Sequence, residues 1–213
     1  MAELSLEQIL KKPARDCHAL RTNDPLPRHV LAETLLGGQA FRWFTLADSC
    51  WLGIFDEDVL ILYHRDNHHL SWFSPTDLSE AAIQDYLDLN RSYLAEAAQL
   101  PLHCDTVLAR LADCWSTLRI LRQSPEEALL GFLCSSNKQI LQIRRMLESL
   151  ASAWGPSLDV TLDNKLLHAL PSFERIAELT EPQLRACGLG YRAKYILNTA
   201  RIIRDEPGLL NRI

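Results

Sequence analysis

The 213-residue sequence lacks the features that mark several large classes of protein. It has no apolar run close to the roughly 20 residues that span a membrane, and its first residues, MAELSLE, do not have the charged and then apolar order of a secretory signal. Its six cysteines include no Cys-x-x-Cys pair, which argues against a zinc knuckle and a disulfide framework. We therefore expect reduced, mostly buried cysteines and no membrane partner, in a protein of the cytoplasm, or of the nucleus if the source is eukaryotic.

The short motifs of common enzymatic sites are missing as well. The sequence has no Gly-rich phosphate loop, no His-Glu-x-x-His zinc motif and no nucleophile elbow. His64, His68 and His69 have a spacing that could hold a metal, but a solvated turn is the favoured interpretation. The adjacent acids Glu126 and Glu127 are attributed to helix capping. The residues alone therefore predict no cofactor, no metal and no self-evident active site.

The charge of the chain is unevenly distributed. A net charge of −5 at first disfavours a nucleic-acid partner, because phosphate binding needs local positive potential. From residue 135 to the end, however, 11 basic residues face 8 acidic ones, whereas the first 134 residues have 11 against 19. Any surface that binds nucleic acid is therefore expected in the second part.

The hydrophobic pattern changes near residues 74–77, from strand-like to helical. Aromatic and β-branched residues before this point predict three consecutive strands at 39–44, 51–55 and 59–63. Asp56, Glu57 and Asp58 are predicted to form a hairpin turn between the last two. From Asp77 onward the apolar residues follow the helical period. The sequence therefore predicts an α+β protein with an antiparallel sheet first and helices after it.

The starts of several helices can be predicted from capping residues. A first helix is expected through residues 82–94. Ser124 and Glu127 predict a capping box at the start of a short buried helix that includes Phe132 and Leu133. A long helix is then expected from the polar residues 135–139 to Gly155, with Arg144 and Arg145 on its solvated side. After a loop, Ser172 and Thr180 predict two further short helices. A last helix is predicted from Tyr191 to about Asp205.

Two loops stand out as candidate binding elements, the polar residues 135–139 and the glycine-rich residues 188–192. A helix N-terminus offers N–H groups to phosphate, Asn and Arg can hydrogen-bond base edges, and Tyr can wedge into a base step. Each feature alone has an ordinary explanation, with Asn137 as a cap and Tyr191 as a core aromatic. Together they favour a protein that opens a duplex and fills the position of an extrahelical base.

Four ordered motifs resemble those of the 8-oxoguanine DNA glycosylases: GGQAFRW at 37–43, LRQSP at 121–125, FLCSSN at 132–137 and CGLGYRAKY at 187–195. The resemblance runs from about Cys17 to the end of the sequence. It implies an antiparallel sheet domain similar to half of a TATA-binding protein, followed by a helical domain of the helix–hairpin–helix glycosylase type, incomplete at its C-terminus. In these terms residues 1–16 are an N-terminal arm, 17–121 the N-terminal domain, and 122–213 a partial helical domain lacking the helix–hairpin–helix.

The resemblance assigns roles to four residues. Gly38 resembles the glycine whose carbonyl accepts the N7–H of 8-oxoguanine, although a bulge or turn explains Gly37-Gly38 equally well on local grounds. Asn137 resembles the asparagine that fills the space of the flipped base and contacts the orphaned cytosine. Tyr191 resembles the wedge between bases, and Arg192 the arginine that hydrogen-bonds that cytosine.

The remaining expected DNA-binding residues include one departure from the family. Gln142 stands where the family places a second cytosine-reading arginine, which implies weaker discrimination against other opposite bases, by about 1–3 kcal/mol. Lys138, Gln139 and Gly190 complete the expected DNA-binding set.

A second departure concerns catalysis. In the family a Gly-x-Gly hairpin carries the catalytic lysine and a later Val-Asp-Val-His segment supplies an aspartate, but neither motif follows Tyr195 in this sequence. Lys194 belongs to the Tyr-Arg-Ala-Lys motif and is not that nucleophile. The resemblance therefore implies a base-excision-repair 8-oxoguanine glycosylase/AP lyase that is truncated before its catalytic hairpin, with no catalytic residue in this chain and no activity on its own.

The expected partner is double-stranded DNA containing oxidised guanine, and a separately encoded C-terminal segment remains open as a second partner. The alternatives are a non-catalytic module that binds damaged DNA, one half of a split enzyme, and a helical scaffold with no nucleic-acid role.

Overall fold

A computed structural model describes residues 2–11 and 16–212. The strands in these residues are β1 (Ala2–Leu4), β2 (His18–Arg21), β3 (Trp43–Ala47), β4 (Cys50–Phe55), β5 (Asp58–Asp66), β6 (His69–Phe73), β7 (Ser157–Leu162) and β8 (Lys165–His168). The α-helices are α1 (Leu6–Lys11), α2 (Arg28–Leu36), α3 (Glu80–Tyr86), α4 (Tyr93–Ala97), α5 (Thr106–Trp115), α6 (Pro125–Ser135), α7 (Ile140–Trp154), α8 (Phe173–Ala177), α9 (Glu181–Leu184) and α10 (Arg192–Asp205).

The larger sheet has five antiparallel strands in the order β2-β6-β5-β4-β3. Its central hairpin joins β4 to β5 through Asp56 and Glu57, and Asp56 has the positive φ, 50°, of a tight turn. Most of the helices follow this sheet in the chain. The predicted α+β class and the predicted hairpin are therefore confirmed.

Strand β4 is buried along its whole length, because the five-stranded sheet has an apolar core on each face. Trp51 and Phe55 lie in one core together with side chains of α2 and α3, and Leu52 and Ile54 lie in the other. The second core is closed by α1 and by a smaller sheet of order β1-β7-β8. The stretch expected as a loop before Ser172 is thus a hairpin, and the predicted N-terminal arm contributes the strand β1 and the helix α1.

The predicted strand at 39–44 is wrong over its first four residues, because their side chains serve the junction between the sheet and the helices. Phe41 reaches into the core of the helical part, where a Cβ on Gly131 would lie 3.0 Å from its ring. Arg42 is buried and donates to the carbonyl group of His168 at the end of β8 (2.7 Å). The aromatic residues of this segment therefore pack where the core of the sheet meets the core of the helical part.

The helix predicted through 82–94 is interrupted between α3 and α4. Asp88 has a φ of 49°, a conformation that residues with a Cβ rarely adopt. Its carboxylate accepts hydrogen bonds from the Tyr93 hydroxyl (2.8 Å) and from the Arg122 guanidinium (2.9 Å). These bonds hold the turn that ends the first helix.

The other helix predictions are confirmed at their starts. The hydroxyl of Ser124 accepts from the N–H of Glu127 (3.4 Å), Ser172 caps α8, and Thr180 caps α9. The core of the helical part is formed by α6 to α10, and the buried faces of α7 and α10 contribute to it together.

The capping box predicted for Glu127 is wrong in its second half. The Glu127 carboxylate does not accept a hydrogen bond from the N–H of Ser124, as a capping box requires. It accepts one from the N–H of Asp56 in the β4–β5 turn (3.1 Å). Glu126 likewise accepts from the N–H of Phe173 (3.3 Å). The pair of acids therefore connects α6 to two other elements.

The setting of Glu127 makes the stability of the fold depend on pH. Burial of this carboxylate, and then repulsion from Asp56, raise the pKa of Glu127 to about 7. Between its usual pKa and 7 the unfolded chain loses this proton while the folded chain retains it, so the free energy of unfolding falls as the pH rises. Because Glu127 keeps some solvent access, we expect a contribution of about 1–3 kcal/mol. Urea unfolding from pH 4.5 to 8 measures it.

The Glu127→Gln variant should lose this part of the pH dependence. Glu57→Gln, at the exposed residue of the same turn, is the matched control and should behave as the wild type. An unchanged slope in Glu127→Gln would show that another group causes the dependence.

Three of the six free cysteines are buried, Cys50, Cys134 and Cys187, so the predicted burial holds for half of them. His68 and His69 are exposed at the turn between β5 and β6, as expected, whereas His64 lies inside β5, is half-buried and has its Nε2 3.0 Å from the carbonyl oxygen of Leu26. Among the described residues no group of three His, Cys, Asp or Glu side chains could hold a metal ion. No helix in residues 2–11 and 16–212 has the length and apolar character needed to cross a membrane.

Candidate nucleic-acid interface

The polar loop between α6 and α7 presents its side chains to solvent. Asn137 has a φ of 56°, which places the chain in the left-handed region for one residue. Asn137, Lys138, Gln139 and Gln142 are exposed and line one open depression of about 490 Å³. The side chain of Gln142 accepts from the N–H of Gln139 (3.2 Å) and so closes the start of α7. The DNA-binding residues predicted in this loop therefore form one accessible surface.

The glycine-rich loop before α10 has a backbone that only glycines adopt easily. The π-helical turn Arg185–Leu189 contains Gly188 at φ 82°, and Gly190 has φ 58° and ψ −133°. A Cβ on Gly190 would meet nothing within 4 Å, so the conformation and not crowding requires glycine here. Directly after this bend, Tyr191 projects its ring into solvent with 52% of its surface exposed. The alternative that Tyr191 is a core aromatic is therefore wrong.

Arg192 joins the two loops. Its guanidinium donates to the carbonyl group of Ser136, immediately before Asn137, and stacks against the Tyr191 ring, 4.5 Å from the ring centroid. Only 4% of the residue is exposed, and its Nε, also buried, has no hydrogen-bond partner. The sequence predicted that Arg192 contacts DNA, and the structure places it as a link between the loops that would do so.

Gly38 lies against the beginning of α7. Its φ is 107°, and a Cβ at this position would stand 3.1 Å from the terminal carbon of Ile140. Arg144, one turn further along α7, donates to the carbonyl group of Leu36 (3.3 Å). The positive φ of Gly38 agrees with the turn expected on local grounds, and the group that approaches it closely is the side chain of Ile140. The prediction that Arg144 lies on the solvated side of α7 is wrong.

The exposed basic side chains at these loops are Lys138, Arg145 and Lys194. Such a distribution, on a chain that is acidic elsewhere, suits a surface that follows a phosphate backbone. Neither Lys138 nor Lys194 is enclosed, whereas an amine nucleophile is activated by desolvation or by a neighbouring charge. The surface formed by the two loops therefore presents exposed polar and basic side chains, and neither of these two lysines is enclosed.

A groove beside these loops was not predicted. It has a volume of about 660 Å³ and runs between α6 and α10, with Ser136 and Arg192 at one end. Phe132, which the sequence pattern assigned to a buried helix face, is 72% exposed here, and Tyr195 is 60% exposed. The four-residue spacing of Tyr191 and Tyr195, whose rings meet edge to face at 6.3 Å, is the signal that could have predicted it.

Comparisons with known proteins match nearly the whole chain. Residues 25–129 match the family model of the 8-oxoguanine DNA glycosylase N-terminal domain, and residues 130–211 match that of HhH-GPD superfamily base excision DNA repair proteins. An N-glycosylase/DNA lyase of Saccharomyces cerevisiae is 33% identical over 85% of this chain. This match covers 51% of the yeast protein, so the chain spans about half the length of that relative.

Solved structures show the same similarity. MBOgg1 in complex with a low-affinity DNA ligand superposes with a TM-score of 0.77 and 27% identity, covering 91% of this chain and 65% of that one. The 8-oxoguanine glycosylase/lyase of Clostridium acetobutylicum, in complex with duplex DNA containing cytosine opposite 8-oxoG, superposes with a TM-score of 0.73 and 25% identity, covering 88% and 65%. The predicted fold, a sheet domain followed by a helical glycosylase domain, is thereby confirmed.

Proposed function

Because the chain belongs to the 8-oxoguanine DNA glycosylases of the HhH-GPD superfamily, we propose that it recognises double-stranded DNA containing oxidised guanine, in base excision repair. It would hold the damaged base outside the duplex and occupy the position that this base leaves. The observation that carries the proposal is the hydrogen bond from Arg192 to Ser136, which brings the two predicted reading loops together. Such a protein acts where the genome lies, in the cytoplasm of a bacterium or the nucleus of a eukaryote.

Each loop supplies a different part of this recognition. The exposed ring of Tyr191 enters the base step as a wedge, and the amide of Asn137 contacts the orphaned cytosine. Arg192 reaches the cytosine by exchanging the carbonyl group of Ser136 for acceptors on the base. The bend at Gly190 sets where the wedge and the arginine begin.

The lesion itself is assigned to the surface between Gly38 and the start of α7. The positive φ of Gly38 turns its peptide groups in a direction that a larger residue would resist. Its carbonyl group is proposed to accept the N7–H that distinguishes 8-oxoguanine from guanine. The proposed domain division, residues 17–121 and 122–213, places Gly38 in the first domain and the two reading loops in the second.

Catalysis is proposed to require residues that the 213-residue polypeptide does not supply. Excision in this family needs an amine to attack the sugar carbon and a carboxylate to assist, and the bond to the base breaks as the Schiff base forms. A separately encoded segment that completes the site remains a proposed second partner. The isolated polypeptide should therefore give no covalent product when it is mixed with lesion duplex and borohydride. A trapped adduct would contradict this part of the proposal.

The binding function is tested by the affinities for a duplex with 8-oxoguanine opposite cytosine and for the undamaged duplex. The wild type should prefer the lesion, and Asn137→Ala should lower this affinity about tenfold. Asn137→Gly removes the amide without straining the left-handed backbone, so it should behave similarly. Asn90→Ala, at an exposed asparagine between α3 and α4, is the matched control. Equal affinities for both duplexes would contradict the proposal.

Gln142→Arg should sharpen the choice of the opposite base. The variant adds a charged donor one turn into α7, and a good bidentate contact to a base gives about 1–3 kcal/mol of discrimination. Lesion duplexes with cytosine or adenine opposite the damaged base measure the change as a ratio of affinities.

Because Gln142 also caps α7, Gln142→Lys is the control that removes the cap but lacks the guanidinium fork. An affinity ratio for Gln142→Arg equal to that of the wild type would show that residue 142 does not contact the opposite base.

A further inference from the structure

A cavity of about 850 Å³ lies at the ends of α6 and α7 that are remote from the reading loops. It is lined by the first turn of α6, by the residues that end α7, by the loop before α8 and by the β4–β5 turn. Helix α7 rises about 22 Å between this cavity and the reading loops. The volume is that of a site for a small organic ligand, and the position separates it from the proposed DNA contacts.

The walls of the cavity are largely apolar. They include the side chains of Leu130, Trp154 and Phe173 together with the segment 169–171. The guanidinium of Arg175 lies over the Trp154 ring, 5.5 Å from its centroid. An indole ring attracts cations through its negative face, and this ring is placed to do so. An aromatic or branched apolar body carrying a positive charge would therefore find a matching wall here.

Four carboxylates line the same cavity, those of Asp56, Glu57, Glu126 and Glu127. The one basic side chain among the lining residues is that of Arg175, and it pairs with the carboxylate of Glu178 (2.9 Å). Glu126 and Glu127 each accept a hydrogen bond from a backbone N–H, but a carboxylate can accept about four. The cavity therefore combines apolar walls with an excess of negative charge.

The first turns of α6 and α8 also line the cavity, and a helix N-terminus by itself favours an anion. Several N–H groups of these turns already donate to side chains of the protein, Glu127 to Ser124, Phe173 to Glu126 and Arg175 to Ser172. An anion would also meet the four carboxylates. A neutral ligand would displace water from them without supplying a counter-charge. Charge complementarity thus favours a cation.

We propose that this cavity is a binding site for a small organic cation, whose amidinium or ammonium group pairs with Glu127 while its apolar body lies against Trp154 and Phe173. The pKa of Glu127, raised to about 7 by burial, supports this assignment, because a desolvated carboxylate in a cavity is typical of a functional site. A bound cation would stabilise the ionised form of this carboxylate. The site is separate from the reading loops, so the inference does not depend on the proposed function.

Binding of such a cation should depend on pH through Glu127. The charged and titratable groups around it are Asp56 and Glu57 of the β4–β5 turn, Glu126 of α6, Arg175 of α8, Arg42 before β3 and Tyr86 of α3. None of the residues that line this cavity is a histidine. The ionised fraction of a carboxylate with a pKa near 7 rises about tenfold from pH 6 to 8, so the affinity for the cation should rise by the same factor.

The experiment titrates the full 213-residue chain with benzamidine, and with benzamide as a neutral molecule of the same shape, in a calorimeter. Benzamidine remains protonated from pH 6 to 8, and at pH 8 the wild type should bind it about tenfold more tightly than benzamide. Glu127→Gln should weaken benzamidine binding about tenfold at pH 8 and should remove its pH dependence. Glu174→Gln, which removes an exposed first-turn acid of α8 outside the cavity, is the matched control and should bind as the wild type does.

A second variant tests the apolar wall independently of the carboxylate. Trp154→Leu keeps this wall apolar but removes the ring, and it should weaken the binding of benzamidine more than that of benzamide. The inference would be overturned if the wild type did not bind benzamidine at millimolar concentrations, or if it bound benzamide equally well. Benzamidine binding that stays unchanged in Glu127→Gln would overturn it as well.

Discussion

Arg192→Ala is expected to weaken the binding of a duplex with 8-oxoguanine opposite cytosine by about 10- to 100-fold. A bidentate contact to a base contributes about 1–3 kcal/mol of discrimination. The variant also removes the hydrogen bond to Ser136 that holds the loop before Asn137. Fluorescence anisotropy at one fixed salt concentration measures the affinity, because phosphate contacts make it strongly dependent on salt.

Two further variants separate the possible causes of this loss. Arg192→Lys retains the positive charge but not the planar fork, and we expect it to recover only a small part of the affinity. Arg201→Ala removes an exposed charge from the same helix and should change the affinity little. Binding by Arg192→Ala within twofold of the wild type would exclude Arg192 from the reading surface.

Arg119→Met is expected to lower the free energy of unfolding by about 3–5 kcal/mol, because it leaves buried partners without their cation. The Arg119 side chain is fully buried, lies 3.8 Å from the carboxylate of Asp24, and donates to the carbonyl group of Asp88 (2.6 Å). Its guanidinium also stacks over the Tyr93 ring. Urea denaturation, with the midpoint and the slope compared, gives the difference.

Arg110→Met is the matched control, because Arg110 is exposed on α5. We expect this variant to remain within about 0.5 kcal/mol of the wild type. A loss below about 1 kcal/mol in Arg119→Met would contradict the view that this buried network holds α3 and α4 to the sheet domain.

Local signals in the sequence predicted what local interactions determine. A short polar segment between two apolar runs predicts a hairpin turn, and the structure has this turn at Asp56 and Glu57. The starts of α6, α8 and α9 follow from hydroxyl groups that accept N–H groups in the first turn. The two candidate reading loops could be located for the same reason, since polar residues and glycines at helix ends are visible in the sequence.

Features that depend on distant partners could not be predicted. Phe41 and Arg42 read as strand residues, but they belong to the junction with α6 and β8. Glu127 fits a capping box, yet its carboxylate accepts a hydrogen bond from the N–H of Asp56, which is 71 positions away in the sequence. A single sequence contains no signal for such pairs, because the partners meet only after the layers have packed.

The candidate site shows the same limit. The exposure of Asn137 and Tyr191 agrees with what their types and positions predict, whereas the burial of Arg192 depends on Ser136, a partner 56 positions away in the sequence. The exposure of Phe132 was also missed, because its pattern is that of a core residue. The connection between the loops and the groove beside them are therefore visible only in the structure.

The two loops are proposed to fill together the base position that an extrahelical lesion leaves empty. The direct measurement is the fluorescence of 2-aminopurine placed next to 8-oxoguanine in the same strand, which rises when its neighbour leaves the stack. Wild-type protein should raise this fluorescence on saturation, and Tyr191→Ala together with Asn137→Gly should largely abolish the rise at saturating concentration. Saturated binding of the lesion duplex by the wild type without any rise in fluorescence would contradict the claim.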